Sequence, residues 1–408
     1  MRALRDRLLA RPTWVVVVGA FVVSRVVVAV IVQGAAMCCQ VPAGVRKLHP
    51  GYLDLVPIWD GGWYHEVVLS GYPLPLPFDS DTGRITFSPW AFYPGFPYLV
   101  HGLTAIGIPF VAAALIVNLV AGAAGAYLIW RTFAFEATSV LRRRMALLSA
   151  LLWCLYPATA VLQIAYSEAL AVALLAGALL LLMQRRYLWA SLVVLALGFT
   201  RAVAPPIAVV VLVHLVARWR AERADERPFL AGQRLSALVL LASTAVSAVA
   251  WPVVVGVATG RMDAFFQVQA VWGQRPDKGP FVAWITWAWD HLGIVGVLLL
   301  LGIVASYVSL VVGRHGQWLA PEIRAWALAY PLFLLAVVRP ITSMWRFLLL
   351  DFPVAAIVVS MTIRGADGGH VTRGWPRRLV LLTAVLLVGV MVWSATLLTY
   401  TPWADSPP

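Results

Sequence analysis

Charge is what this sequence has least of. Only 12% of its 408 residues are Asp, Glu, Lys or Arg, against 62% hydrophobic residues, whereas a soluble chain carries roughly 25% charged residues. With a mean hydropathy of +0.85, the deficit is too large for one core to hide, so most of the chain must be solvated by lipid. Cysteine is nearly as scarce. Cys38 and Cys39 are adjacent and Cys154 sits in an apolar run, which excludes a disulfide framework and any C-x-x-C metal site. There is no Walker-type loop, and no G-x-G-x-x-G follows a strand pattern. Nothing therefore calls for a nucleotide bound by a Rossmann domain. Internal repeats and low-complexity linkers are also absent, so residues 1–408 read as a single membrane domain.

What is present is a series of apolar runs of near-spanning length. They fall at about 13–37, 108–130, 145–163, 168–184, 187–200, 203–217, 235–258, 290–312, 323–338, 346–363 and 379–398. The expectation is an all-α polytopic membrane protein with about eleven transmembrane helices. The two runs that meet around Thr200–Pro206 are alternatively one broken helix, and Trp90–Ile106 reads as a partial or re-entrant helix. The basic stretch from Met1 to Arg11 followed by the long run from Trp14 to Met37 is expected to stay as a signal anchor.

Orientation follows from counting Lys and Arg. With the amino terminus in the cytoplasm, 21 of the 31 fall in inner loops, nine in outer segments, and Arg25 inside the first span. The bias repeats loop after loop, so the formal charge of +13 reflects the positive-inside rule and implies no nucleic-acid partner. The acids Asp54, Asp60, Glu66, Asp79, Asp81, Glu168, Asp263, Asp277 and Asp290 all fall on the outer side. The expected location is thus a cell membrane crossed many times. Its largest polar insertion is the first outer loop, residues 39–107.

That loop carries Trp59-Asp60-Gly61-Gly62-Trp63-Tyr64, then Gly71-Tyr72-Pro73, then Ala91-Phe92-Tyr93-Pro94-Gly95-Phe96-Pro97. A carboxylate flanked by aromatics at a membrane surface is placed for a raised pKa and for work as a base. Aromatic faces stack on sugar rings, and glycines allow close backbone approach. The rival reading is an interfacial aromatic belt, with Asp60 capping a short helix.

W-D-x-x-W-Y, G-Y and F-Y-P-x-F-P in this order resemble the PIG-V type family of mannosyltransferases. That family includes the GPI mannosyltransferase II enzymes and bacterial relatives, in the GT-C class. Further pieces follow in order: Tyr166-Ser167-Glu168, Thr200-Arg201, Gln269-Ala270-Val271-Trp272-Gly273, and Arg346-Phe347-Leu348-Leu349. The resemblance runs from about residue 14 to 363. The chain departs from the pattern at Ala202-Val203, Phe347 and Asp351, which bears on acceptor identity. The resemblance implies a GT-C-like fold and transfer of mannose, with inversion, from polyprenyl-phosphate-mannose to a lipid or glycan hydroxyl on the outer face. It assigns Asp60 as general base. Trp59, Trp63, Tyr64, Glu168, Arg201, Gln269, Trp272 and Arg346 become substrate-binding candidates, with Arg201 and Arg346 on the phosphate. No metal site or other cofactor is assigned and the need for a divalent metal stays open; His65, five residues after Asp60, reads as a loop histidine, with a metal or base role as the alternative.

Each arginine has a structural alternative, snorkelling to headgroups or pairing with Glu168 and Asp351. Three other functions compete: a GT-C enzyme for another sugar, a transporter or flippase for lipid-linked sugars, and a scaffold. Clustering of acids at one face favours the enzyme over a transporter, whose polar groups would be spread near the midplane.

Overall fold

A computed structural model describes residues 12–41, 49–135, 137–224, 230–274, 279–364 and 371–400. The basic stretch at residues 1–11 and Asp277 lie outside them. In hydrocarbon every backbone amide must be satisfied within its own segment, which leaves the helix as the solution for each apolar run. The described residues accordingly contain no strands beyond two isolated bridges, Phe78 to Ile85 and Arg364 to Val371.

In chain order the helices begin with α1 (Thr13–Cys39), α2 (Tyr52–Leu55), α3 (Asp60–Ser70) and α4 (Gly95–Thr104). They continue with α5 (Phe110–Ala134), α6 (Val140–Trp153), α7 (Glu168–Met183), α8 (Tyr187–Gly198) and α9 (Ala204–Arg223). Next come α10 (Ala231–Thr259), α11 (Ala264–Val271), α12 (Val282–Val312) and α13 (Pro321–Val337). The last three are α14 (Met344–Phe347), α15 (Pro353–Ile363) and α16 (Trp375–Trp393).

Each of the eleven expected segments is a helix or a bent helix pair, and they differ in length. Six helices are long and apolar enough to cross a membrane, or eight if each bent pair counts as one span. The bends are 74° between α6 and the 3-10 helix Pro157–Gln163, and 81° between the Met344–Leu350 segment and α15. The remaining three, α7, α8 and α13, have 16, 12 and 17 residues, about 18–26 Å at 1.5 Å per residue. Hydropathy alone does not separate them from spans, because a helix buried in protein is as apolar as one in lipid. The Thr200–Pro206 region is two helices, α8 and α9. The Trp90–Ile106 stretch forms one turn of 3-10 helix and the ten-residue α4.

α7 is the centre of the fold. It buries residues on every side, among them Val172, Leu175, Leu179 and Met183, against α5, α8 and the 3-10 segment Leu348–Leu350 that precedes α15. α12 lies at the other extreme, with only Ala288, Gly296 and Val311 buried over 31 residues. α1 shows the two-sided pattern between them: Val17, Phe21, Val28 and Val32 are buried, while Val22, Val23, Val26 and Val30 are more than half exposed. Both faces are apolar because one meets protein and the other lipid.

Arg25 is on the buried face of α1. Its guanidinium donates to the carbonyls of Cys154 at 2.7 Å and Thr159 at 2.5 Å. These carbonyls flank the 74° bend, where the end of a helix leaves acceptors without intrahelical donors. Arg25 therefore serves as a cap for a broken helix. Cys38 and Cys39 are bonded to each other, a link between neighbours that ties no distant segments together.

Candidate active site

Asp60 is the first residue of α3 and Glu168 the first residue of α7. Both carboxylates thus sit where the unpaired amides and dipole of a helix amino terminus favour negative charge. Two features of the sequence bring these termini together. Ala165 donates from its backbone to the Val56 carbonyl at 2.8 Å, and Gly61 lets α3 lie against that junction. A Cβ on Gly61 would lie 2.9 Å from the Val56 oxygen and 3.3 Å from the Ala165 Cβ. The glycine beside Asp60 therefore serves approach between two parts of the chain, where the sequence suggested approach to a sugar. We expect Gly61→Val to lower the thermal midpoint in detergent by the equivalent of about 1–3 kcal/mol of overpacking. Gly62→Ala, whose Cβ would meet only Pro57 oxygen at 3.6 Å, should leave the melt in place.

The segment between the bend and α7 is held from three sides. Asn118 on α5 donates to the carbonyls of Ile164 and, at 2.9 Å, Tyr166. The Tyr64 hydroxyl donates to Ser167 Oγ at 3.0 Å. From the other side, Arg201 Nη1 lies 2.8 Å from Glu168 Oε1 and 3.2 Å from Ser167 Oγ. Arg201 is placed by the turn between α8 and α9, and that turn is fixed by the first loop. Gly95 donates to the Phe199 carbonyl at 2.7 Å, and a Cβ there would lie 2.5 Å from Thr200 Oγ1. The Gly95 of F-Y-P-G-F-P is thus a second point of obligatory close packing.

Arg346 on α14 completes the cluster. Its Nη1 pairs with Asp60 Oδ2 and also lies 3.2 Å from Glu168 Oε1. Two carboxylates and two guanidiniums therefore alternate in one network, Asp60–Arg346–Glu168–Arg201, with no net charge. Asp60, Glu168 and Arg346 are buried and Arg201 is slightly exposed. Phe347 lies between the two cations, with its ring centre 4.9 Å from the Arg201 guanidinium carbon and 5.1 Å from that of Arg346. The expected alternative pairing of Arg346 with Asp351 is not formed, since Asp351 accepts from the Tyr307 hydroxyl at 2.8 Å. Burial pushes the Asp60 carboxyl above the ordinary carboxylate range, opposed by Arg346 and reinforced by the Glu168 charge. Burial likewise raises the Tyr64 phenol.

Above this network opens a cavity of about 1140 Å³. Asp60, Tyr64, Arg201, Gln269, Trp272 and Arg346, all singled out in the sequence, line it. Glu168 is directly behind, bonded to both arginines. Trp63 packs beside it, stacked on Phe92 at 6.0 Å and edge-on to Trp272 at 5.5 Å. Gln269 holds the wall together by donating to the Ala91 carbonyl at 3.0 Å. Trp59 is not brought to the cavity. Its backbone has φ of +55°, which turns the ring away to donate to the Leu398 carbonyl at 2.7 Å and to pack on Tyr400. His65 stacks on Phe110 at 4.2 Å, outside this cavity's lining. Among the described residues no group of three His, Cys, Asp or Glu is placed to hold a metal ion.

The opposite wall of the cavity is apolar, with Trp287, Val337, Ile341, Met344 and Trp345. Trp287, Val337 and Trp345 are each between 41% and 51% exposed, so this wall reaches the outer surface of the helix bundle. The residues that sequence reasoning passed over are Asn118, Gln274 and Arg339. Asn118 carried a signal, as an amide within an otherwise apolar span.

Two solved structures of the oligosaccharyltransferase of Archaeoglobus fulgidus are similar to this chain. One is a complex with zinc and sulfate, and the other is tethered to an acceptor peptide through a disulfide bond. Their identities are 13% and 14%, each with a TM-score of 0.43. The matches cover 92% and 95% of this chain but 53% and 56% of theirs, so the chain spans about half their length. Likeness at that level fixes neither fold nor activity. No protein-family model matches the chain, and no curated protein does either.

Proposed function

We propose that this protein is a GT-C-type membrane glycosyltransferase. In this reading it moves mannose from polyprenyl-phosphate-mannose to a lipid or glycan hydroxyl on the outer face, with inversion. The observation that carries the reading is the cavity itself. At one end stand a buried carboxylate and two arginines, and at the other an apolar wall that opens on the lipid side. An amphiphile with a polar, phosphate-bearing head and a hydrocarbon tail fits such a space end to end. All the segments that line it also fall on one side in the charge-based topology.

In this mechanism the Asp60 carboxylate accepts the proton of the acceptor hydroxyl as its oxygen attacks the anomeric carbon. The bond from that carbon to the phosphate oxygen breaks, and its electron pair leaves with the phosphate. Arg201 and Arg346 stand beside Asp60 to stabilise the developing charge, and Glu168 holds both guanidiniums in place. Phe92, Tyr93 and Trp272 offer faces on which the sugar can stack. The test is transfer of radiolabel by purified protein from polyprenyl-phosphate-mannose to a membrane-lipid extract. Transfer from an arabinose or glucose carrier instead would keep the class and change the sugar. No transfer from any of the three by folded protein would sink the enzyme reading in favour of a transporter.

The pH profile gives a second check. A base works only when deprotonated, and burial raises the Asp60 pKa. The acidic limb of log kcat/KM is therefore expected to fall off at a pH above the ordinary carboxylate value of roughly 4. A limb at or below that value would argue against Asp60 as the titrating base.

A further inference from the structure

Three arginines line the cavity, Arg201, Arg339 and Arg346, and among the described residues two carboxylates answer them. Asp60 and Glu168 are engaged with Arg346 and Arg201. Arg339 has no hydrogen-bond or ion-pair partner among the described residues. Its side chain is exposed, but its backbone is held. Trp284 Nε1 donates to the carbonyl of the preceding Val338 at 2.7 Å, and the following Pro340 restricts Arg339 to extended backbone. Gly273, at φ +79°, packs directly against the guanidinium, where a Cβ would lie 2.3 Å from Cζ and 2.4 Å from Nη2.

Two further polar groups beside Gly273 are unsatisfied. The Trp272 indole nitrogen and the Gln274 amide oxygen are both shut from solvent without a partner, and both residues line the cavity. Buried polar atoms without partners are uncommon enough to need a reason. Here an exposed cation lies beside two residues whose own indole N–H and amide oxygen are unsatisfied, and all three residues line the same chamber. That set matches a phosphate flanked by a hydroxyl.

We propose that Arg339, with the Trp272 indole N–H, is the primary anchor for the phosphate of the lipid carrier. This rests on the carrier-dependent reading above. It moves initial phosphate binding away from Arg201 and Arg346, whose charges are already neutralised by Asp60 and Glu168. The carrier then docks without first having to break that network.

The test is binding of undecaprenyl phosphate to the full-length protein in detergent, with undecaprenol and inorganic phosphate as comparison probes. Loss of one charge-assisted contact is expected to weaken undecaprenyl phosphate binding about 10- to 100-fold in Arg339→Gln. Arg339→Lys should recover part of it, and Trp272→Phe, which keeps the ring and removes the N–H, should weaken it by a smaller factor. Undecaprenol binding should not respond to Arg339→Gln. If wild type and Arg339→Gln bind undecaprenyl phosphate equally, the anchor is not Arg339, and the glycosyltransferase reading stands. Inorganic phosphate that competes as well as the polyprenyl ester would overturn the proposal by making the site a free-phosphate site. Equal displacement by phosphatidylglycerol would overturn it too, leaving Arg339 a general headgroup contact. Absence of any binding to undecaprenyl phosphate by folded wild type would sink both this proposal and the carrier-dependent reading.

Discussion

In Asp60→Asn, sugar transfer is expected to fall by about 10²–10⁴-fold, the usual contribution of a positioned general base. The substitution keeps the size and shape of the side chain and removes the proton acceptor. Arg346 retains Glu168 as a partner at 3.2 Å, so the network is thinned without being emptied of negative charge. The thermal midpoint in detergent should consequently change far less than the rate. The acidic limb of the pH profile should vanish with the carboxylate. Full activity in Asp60→Asn would remove Asp60 from the reaction while leaving the reaction class open to the same assay.

The largest effect on stability is expected at Glu168. Its carboxylate is fully buried and is shared by Arg201 and Arg346. Glu168→Leu would leave Arg201 without a carboxylate and Arg346 with Asp60 alone, a loss of about 3–5 kcal/mol for a broken buried pair. The sign of a second substitution then becomes informative. Adding Arg201→Met to Glu168→Leu removes the stranded charge, so the double variant should be more stable than Glu168→Leu alone. Additive destabilisation, measured by thermal melts of both variants and the single Arg201→Met, would show that the network is not coupled as its distances imply.

The charged members of this network were legible in the sequence because each is expensive in a chain so poor in charge. Asp60 and Glu168 stand out beside aromatic and glycine residues, and Arg201 and Arg346 stand at the ends of apolar runs. Pairing of the arginines with Glu168 was legible as an alternative and is formed, whereas the link from Arg346 to Asp60, 286 residues apart, was not. The direction of Trp59 was hidden too, because it depends on a positive φ at a residue type that rarely adopts one. Which apolar runs are long spans was not legible, because α7 is as apolar as a lipid-facing helix while burying residues on every side. Arg339 escaped notice because its significance lies in what it lacks. A cation without a partner among the described residues is recognised only after the partners of the other arginines are known.

Arg25 has a consequence for how the protein is made. Its carbonyl partners lie 129 and 134 residues further along the chain, in a region synthesised only after α1 has emerged. During that interval α1 must sit in the bilayer with a guanidinium near its middle, at a cost of about 2.5–3.5 kcal/mol on insertion scales. The valine-rich remainder of α1 has to outweigh that cost unaided. The first helix is therefore inserted in a provisional form, and it settles only when the bend after α6 arrives to receive it.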